Sequence, residues 1–237
     1  MAVTKNIAII PARGGSKRIP RKNIKEFLGK PIIAYSIQAA LESNLFDEVI
    51  VSTDDAEIAE IAKQLGAKVP FTRSKEASDD FATLADVLIE ALNWYKEKGI
   101  EINKVCCILA TAPFVTSIKL VESNMLFIEN EFDSLLPVVE FPFPIQRSLV
   151  KNKNGFIQMA NPEYLNTRSQ DLEIHYHDAG QFYWISASAL LNNHSLLAKR
   201  SGVIHLSQLE VQDIDTIDDW KNAEIKYKIL NDKKSTH

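Results

Sequence analysis

Apolar positions along the chain fall into short β-branched runs that alternate with stretches of helical period. Residues 6–10 form the first run, stopped by Pro11, the pattern of a buried strand that empties into a loop. Over 32–45, Ile33, Ile37, Ala40 and Leu41 recur at helical spacing, and Pro31 suits a first turn, where no N–H is needed. A second apolar run at 48–52 leads to Thr53, Asp54 and Asp55 as a cap. The helical face Ile58, Ala59, Ile61, Ala62 and Leu65 follows, ending at Gly66. The pattern then predicts a brief strand at 68–71, a helix over about 82–98 closed by Gly99, a strand at 104–109 and a helix at 117–131. Such alternation implies an α/β fold, a mainly parallel sheet with helices on both faces and right-handed crossovers. Ligands on such sheets bind beyond the carboxyl ends of the strands.

The rhythm breaks after a strand at 133–140. Phe-Pro-Phe-Pro at 141–144 cannot continue a helix, and 148–159 reads as a hairpin around Asn152-Lys-Asn-Gly155. Residues 161–177 are polar and aromatic with neither period, either a mobile loop or a segment ordered by a partner. Strands are expected again at 180–186 and 202–207. A terminal helix over 216–230 has Thr216 as N-cap and Asp218 and Asp219 near its positive end, with a tail fraying from 231. No repeat or linker divides the chain, so one domain over 1–237 is expected, with an excursion at 141–178.

Composition narrows the function. At 237 residues and 46% apolar the chain can bury a full core. A formal charge of −4 and a pI near 5.8 exclude a general nucleic-acid or anionic-membrane binder. Neither a signal-peptide pattern nor an apolar stretch of spanning length is present, so a soluble cytoplasmic protein is expected. Cys106 and Cys107 are adjacent in an apolar run, which suits buried structural thiols better than a zinc or redox pair.

Positive charge is local. Between residues 13 and 30 stand Arg13, Lys17, Arg18, Arg21, Lys22, Lys25 and Lys30 against the single carboxylate Glu26. Gly14 and Gly15 let backbone amides approach phosphate oxygens, Ser16 adds a hydroxyl, and the cations neutralise charge. Neither the G-x-G-x-x-G fingerprint nor the Walker pattern is present. The alternative is a solvated basic turn entering a helix.

Asp213 and Asp215, two apart in an extended segment, point to one side. With phosphate oxygens they would make a Mg²⁺ site, or they cap the terminal helix. His175 and His177 alternate, but no further ligand set accompanies them, so a polar-loop or substrate contact is favoured over zinc. Asp54 and Asp55 read as caps, and Trp94 and Tyr95 as packing groups.

The stretch Ile-Ile-Pro-Ala-Arg-Gly-Gly-Ser-Lys-Arg-Ile-Pro-Arg-Lys-Asn at 9–23 closely resembles the nucleotide loop of the CMP-sialic acid synthetases, cytidylyltransferases that activate nine-carbon 2-keto sugar acids. The later Asp213-Ile-Asp215-Thr resembles their metal-binding aspartates, and the likeness runs over nearly the whole chain. Residues 166–172, 176–180 and 209–216 look like the branch that acts on pseudaminic acid. The resemblance implies a Rossmann-like fold of the nucleotide-diphospho-sugar transferase type and CTP as nucleotide substrate. It also implies Mg²⁺ on Asp213 and Asp215, and a homodimer in which residues 141–178 complete the neighbour's sugar site.

By position, it assigns Arg13, Gly14, Gly15, Ser16, Lys22 and Asn23 to the triphosphate and cytosine, and Arg73, Ala82 and Thr83 to the nucleotide pocket. Arg13 and Lys22 would stabilise the leaving pyrophosphate. Ala110, Arg147, Arg168, Gln170 and His177 fall to the sugar acid. Ala110 stands where sialate enzymes carry a glutamine, Arg147 where they tend to have lysine, and His177 where arginine is common. The departures at Ala110 and His177 leave the nucleotide chemistry intact and point away from N-acetylneuraminate. Legionaminic, neuraminic or 3-deoxy-octulosonic acid as substrate, and a non-catalytic nucleotide-binding protein, are the alternatives.

Overall fold

Strict alternation of side chains along the central strands divides the molecule into two hydrophobic layers. On the first strand, β1 (Thr4–Pro11), Ala8 and Ile10 enter one layer, while Ile7 and Ile9 enter the other. The computed structural model describes residues 4–234. After β1 the chain forms a one-turn 3-10 helix (Lys22–Ile24) and a small hairpin of β2 (Glu26–Phe27) and β3 (Lys30–Pro31), then α1 (Ile33–Ser43). It continues through β4 (Glu48–Ser52), α2 (Ala56–Gln64), α3 (Leu84–Glu97), β5 (Glu101–Ile108), α4 (Ser117–Glu129) and β6 (Ser134–Glu140).

β7 (Leu149–Lys151) and β8 (Ile157–Met159) pair as the expected hairpin. β9 (Tyr176–Asp178), β10 (Phe182–Ser186), α5 (Ala187–Asn193), β11 (Ser201–His205) and α6 (Ile217–Lys234) complete the fold.

The main sheet runs β11-β6-β10-β5-β1-β4, with β9 on β6. β1, β4, β5, β6 and β11 share one direction, and only β9 and β10 are reversed. This is the mainly parallel, Rossmann-like arrangement expected. α1, α2 and α4 cover one face with Ile33, Ile37, Ile58, Ala62, Leu120 and Phe127. On the opposite face α3 and α5 supply Leu88, Ala91, Leu92, Tyr95 and Leu190. Cys106 and Cys107 are both free and buried, one in each layer.

Several local expectations are corrected. The segment 68–71 makes only a single bridge, Lys68 to Ile50, because Pro70 has no N–H to extend a ladder. Pro31 lies in β3 and not in the first turn of α1. β9 lies within the stretch that showed no period, and α5, capped by Ser186, was not anticipated. α6 continues past residue 230 to Lys234. Readings made on residues 1–3 and on the tail after 234 lie outside the described residues.

A third cluster binds the loop after β1 to the chain's last helix. Phe27, Tyr35, Trp220 and Tyr227 meet edge to face at centroid distances of 5.2–5.7 Å, and Ile19 and Ile214 are buried with them. Ile19 belongs to the basic loop and Ile214 separates Asp213 from Asp215. Burial of these two isoleucines in one cluster is what brings the loop and the aspartates together.

Candidate active site

A cavity of about 460 Å³ opens beyond the carboxyl ends of β1 and β5. Arg13, Ser16, Lys22, Asn23, Arg73, Ala82, Thr83 and Ala110 all line it, joined by Lys17, Arg18, Asp79, Asp80 and Thr111. The nucleotide set expected from sequence therefore converges on one place, Gly14 and Gly15 excepted. Gly14 donates its N–H to Asp54 Oδ1 at 3.0 Å. Its lack of a side chain has a separate cause: a Cβ there would come 2.7 Å from Asp55 Oδ2.

Each lining group is held by a local feature. Asn23 is buried and donates from Nδ2 to the Arg13 carbonyl at 2.9 Å, closing the loop on itself. Thr83 caps α3 and exchanges hydrogen bonds with Asp86, which places residues 82 and 83 at the positive end of that helix. Arg73 is 5% exposed, and its guanidinium is bound by the Ser52 hydroxyl at 3.0 Å and by the Ser52 carbonyl. Burial pulls the Arg73 pKa below the usual arginine range, opposed by the Asp54 and Glu90 charges. It is a desolvated cation at the cavity wall, where an anionic or hydrogen-bonding ligand meets little competing water.

The loop cations are partnered by carboxylates. Arg13 Nη1 donates to Asp80 at 3.2 Å and to the Asp79 carbonyl at 3.0 Å, while Lys17 reaches the other Asp80 oxygen. Lys17 and then Arg13 hold the Asp80 carboxyl below its ordinary range. Arg18 Nη2 donates to Asp215 at 2.7 Å, and Lys22 Nζ to the Ile214 carbonyl at 2.6 Å. No spacing in the sequence marked Asp80, whose only signal is its place before Ala82 and Thr83.

Ile214 points inward, so Asp213 and Asp215 lie on the outer side of an extended segment. Asp213 reaches solvent but stands in a recess enclosed by protein. That enclosure, and then the neighbouring Asp215 charge, push its carboxyl above the ordinary range, with Lys22 opposing. Capping of α6 falls to Thr216 and Asp219, which exchange hydrogen bonds. The two aspartates are thus free of that task. Among the described residues no cluster of three or more His, Cys, Asp or Glu could hold a metal alone. Neither aspartate is among the residues that line the cavity, but Asp215 meets Arg18 and Lys22, which are, and two hard carboxylates beside these cations fit a Mg²⁺ ion whose remaining ligands would be water and phosphate oxygens.

The sugar set is divided. Ala110 lines the cavity; Arg147, Arg168, Gln170 and His177 do not. Arg147 donates to Ser169 at 3.3 Å, Arg168 pairs with Asp171 at 3.1 Å, and His177 packs on Phe141 at 5.0 Å between centroids. His175 and His177 bind backbone or amide partners through Nδ1. The excursion that carries these residues exposes Phe143, Leu149, Phe156, Ile157 and Leu165.

The model of the cytidylyltransferase family matches residues 7–226. The chain belongs to the cytidylyltransferase family. A pseudaminic acid cytidylyltransferase of Campylobacter jejuni is 46% identical over 225 residues, covering 95% of this chain and 97% of that one. A CMP-N,N'-diacetyllegionaminic acid synthase of Legionella pneumophila is 32% identical, covering 92% and 94%. Among solved structures, a CMP:2-keto-3-deoxy-manno-octonic acid synthetase complexed with CTP superposes with a TM-score of 0.69. It is 17% identical and covers 96% of this chain and 99% of that one, a likeness of fold. Among the described residues no helix is long and apolar enough to cross a membrane.

Proposed function

We propose that this cytidylyltransferase transfers CMP from CTP to the anomeric hydroxyl of pseudaminic acid, releasing pyrophosphate and giving CMP-pseudaminic acid. The observation that carries the reading is the convergence of Arg13, Lys22, Asn23 and Arg73 on one cavity in a chain 46% identical to a pseudaminic acid cytidylyltransferase.

In this reading Arg73 and Asn23 orient the nucleotide, with Ala82 and Thr83 flooring its pocket. Arg13, Ser16 and Lys22 grip the triphosphate, and their charge takes up that which develops on pyrophosphate as the bond to the α-phosphate breaks. Asp213 and Asp215 would hold Mg²⁺, whose chemistry there would be neutralisation of phosphate charge. As the hydroxyl oxygen bonds to the α-phosphorus and the bond to pyrophosphate breaks, the hydroxyl proton passes to solvent water. Positioning contributes most of the acceleration.

The sugar acid is read by Ala110 from one subunit and by Arg147, Arg168, Gln170 and His177 from the excursion of a second copy. A two-stranded hairpin with both faces exposed is marginal alone, and apolar side chains on such an element favour a partner. A homodimer supplies one. Two free, buried cysteines suit the reducing cytoplasm, where CTP is available.

The experiment is pyrophosphate release from CTP and Mg²⁺ with a panel of pseudaminic, legionaminic, N-acetylneuraminic and 3-deoxy-octulosonic acids. Pseudaminic acid is expected to react fastest. Faster release with another acid reassigns the substrate, and CTP binding without release from any acid leaves only a nucleotide-binding protein.

A further inference from the structure

Three contacts converge on Asp55, a residue that the transfer chemistry above does not use. Its Oδ1 accepts from Ile58 N at 3.0 Å and caps α2. Both of its oxygens receive the Arg21 guanidinium, Nη2 to Oδ1 at 3.0 Å. Gly14 lies against the same carboxylate, where a Cβ would meet Oδ2 at 2.7 Å. Gly14 and Arg21 bracket the part of the loop that carries Ser16, Lys17, Arg18 and Ile19 along the cavity.

Arg21 is unusual in its backbone as well. With φ 56° and ψ 29° it occupies the left-handed region that non-glycine residues rarely use. The bend there sends the chain into the single turn Lys22–Ile24, and the amides of Ile24 and Lys25 both donate to the Arg21 carbonyl at 3.0 Å. Lys22 and Asn23 enter the cavity from that turn. Glu57, in the first turn of α2, adds a second carboxylate to the same guanidinium.

We propose that Asp55 and Arg21 are positioning residues for the nucleotide. Their bidentate pair clasps the basic loop into a ring against the end of α2 and sets the direction in which Lys22 and Asn23 reach the cavity. Bidentate arginine–carboxylate pairing fixes geometry as well as supplying attraction. A loop released from α2 would keep every charge but lose its preorganisation, and the nucleotide would then have to order it. The inference rests on the reading of the cavity as the CTP site.

The test uses two variants that separate the clasp from its surroundings. Glycine accepts the left-handed backbone freely, so Arg21→Gly removes the pair and keeps the bend. Asparagine caps helices as well as aspartate, so Asp55→Asn weakens the pair and keeps α2. CTP affinity by calorimetry, and KM for CTP and for the sugar acid, are measured at a temperature where both variants are folded. Each variant is expected to weaken CTP binding and lower kcat/KM for CTP by about ten- to a hundredfold, the scale of a small misplacement. KM for the sugar acid should stay within about twofold on the same scale of argument, and millimolar guanidinium should partly restore Arg21→Gly. Wild-type CTP affinity in both variants, or equal losses for both substrates without guanidinium rescue, overturns the positioning role. Should the wild-type protein itself fail to bind CTP, the reading of the cavity falls first and the clasp falls with it.

Discussion

Lys22 donates its ammonium to the Ile214 carbonyl at 2.6 Å and stands 3.5 Å from an Asp215 carboxylate oxygen, across a sequence separation of 192 residues from Ile214. The basic loop and the segment that carries Asp213 and Asp215 are thus in direct contact. Lys22→Ala removes the link. Loss of one preorganised contact to developing charge costs about 10²-fold in turnover. Stopped-flow pyrophosphate release should show that fall in kcat, and an unchanged rate would place the chemistry elsewhere.

At Asp213 the surroundings oppose the charged form. Its carboxyl is pushed up by enclosure and then by the Asp215 charge, so the ionised form destabilises the native state. For a raised carboxylate that cost is present at neutral pH and disappears once the group is protonated in acid. Asp213→Asn should therefore raise the melting temperature of the chelator-treated protein at pH 7, give no gain in acid, and sharply lower turnover. A lower melting temperature at pH 7 would show that the repulsion is not felt.

The opposite sign holds at Asp55, whose carboxyl the Arg21 guanidinium pulls from 3.8 down to about 2. A depressed carboxylate stabilises the native state above its ordinary pKa, and that contribution is lost as pH falls towards the depressed value. The side chain is about one-fifth exposed, so a screened contribution of about 1–2 kcal/mol is expected. Urea titrations should find Asp55→Asn less stable by that amount at pH 7 and pH 5. The gap should narrow towards pH 2, and a pH-independent gap would assign it to something other than the ion pair.

Gly202 on β11 has no room for a methyl group. A Cβ built there would lie 2.1 Å from Phe132 Cε2. Gly202→Ala should cost about 1–3 kcal/mol, as overpacking does. Adding Phe132→Leu should recover part of it, read from the urea midpoints of the single and double variants.

Phe156 is 69% exposed on the β7–β8 hairpin. If that surface is covered by a second copy, Phe156→Asp should yield a monomer by analytical ultracentrifugation. The monomer should still bind CTP and should lose sugar transfer. A monomeric wild-type protein with full activity would end the two-subunit account of the sugar site.

Much of this fold was legible along the chain because its signals are local. The β-branched run before Pro11, the cap at Asp55 and the hairpin turn at Asn152–Gly155 each depend on residues a few positions apart. Elsewhere local signals are absent or conflict: residues 68–71 look like a strand until Pro70 is considered, and α5 is too short for its period to show. The basic loop was legible as charge and glycine, but Asp80, the counter-ion of Arg13 and Lys17, carried no pattern of its own.

The sequence by itself determined the alternating elements, a local excess of cations in an acidic chain, and the outward pair Asp213 and Asp215. Tertiary structure alone decided that the loop and the aspartates face each other, since that depends on Ile19 and Ile214 sharing the aromatic cluster of Phe27, Tyr35, Trp220 and Tyr227. It also decided that Gly14 is glycine because Asp55 approaches it, and that Arg21 turns away from the cavity to hold that same carboxylate. Burial and close approach join residues far apart in the chain, and no period or spacing along the sequence encodes them.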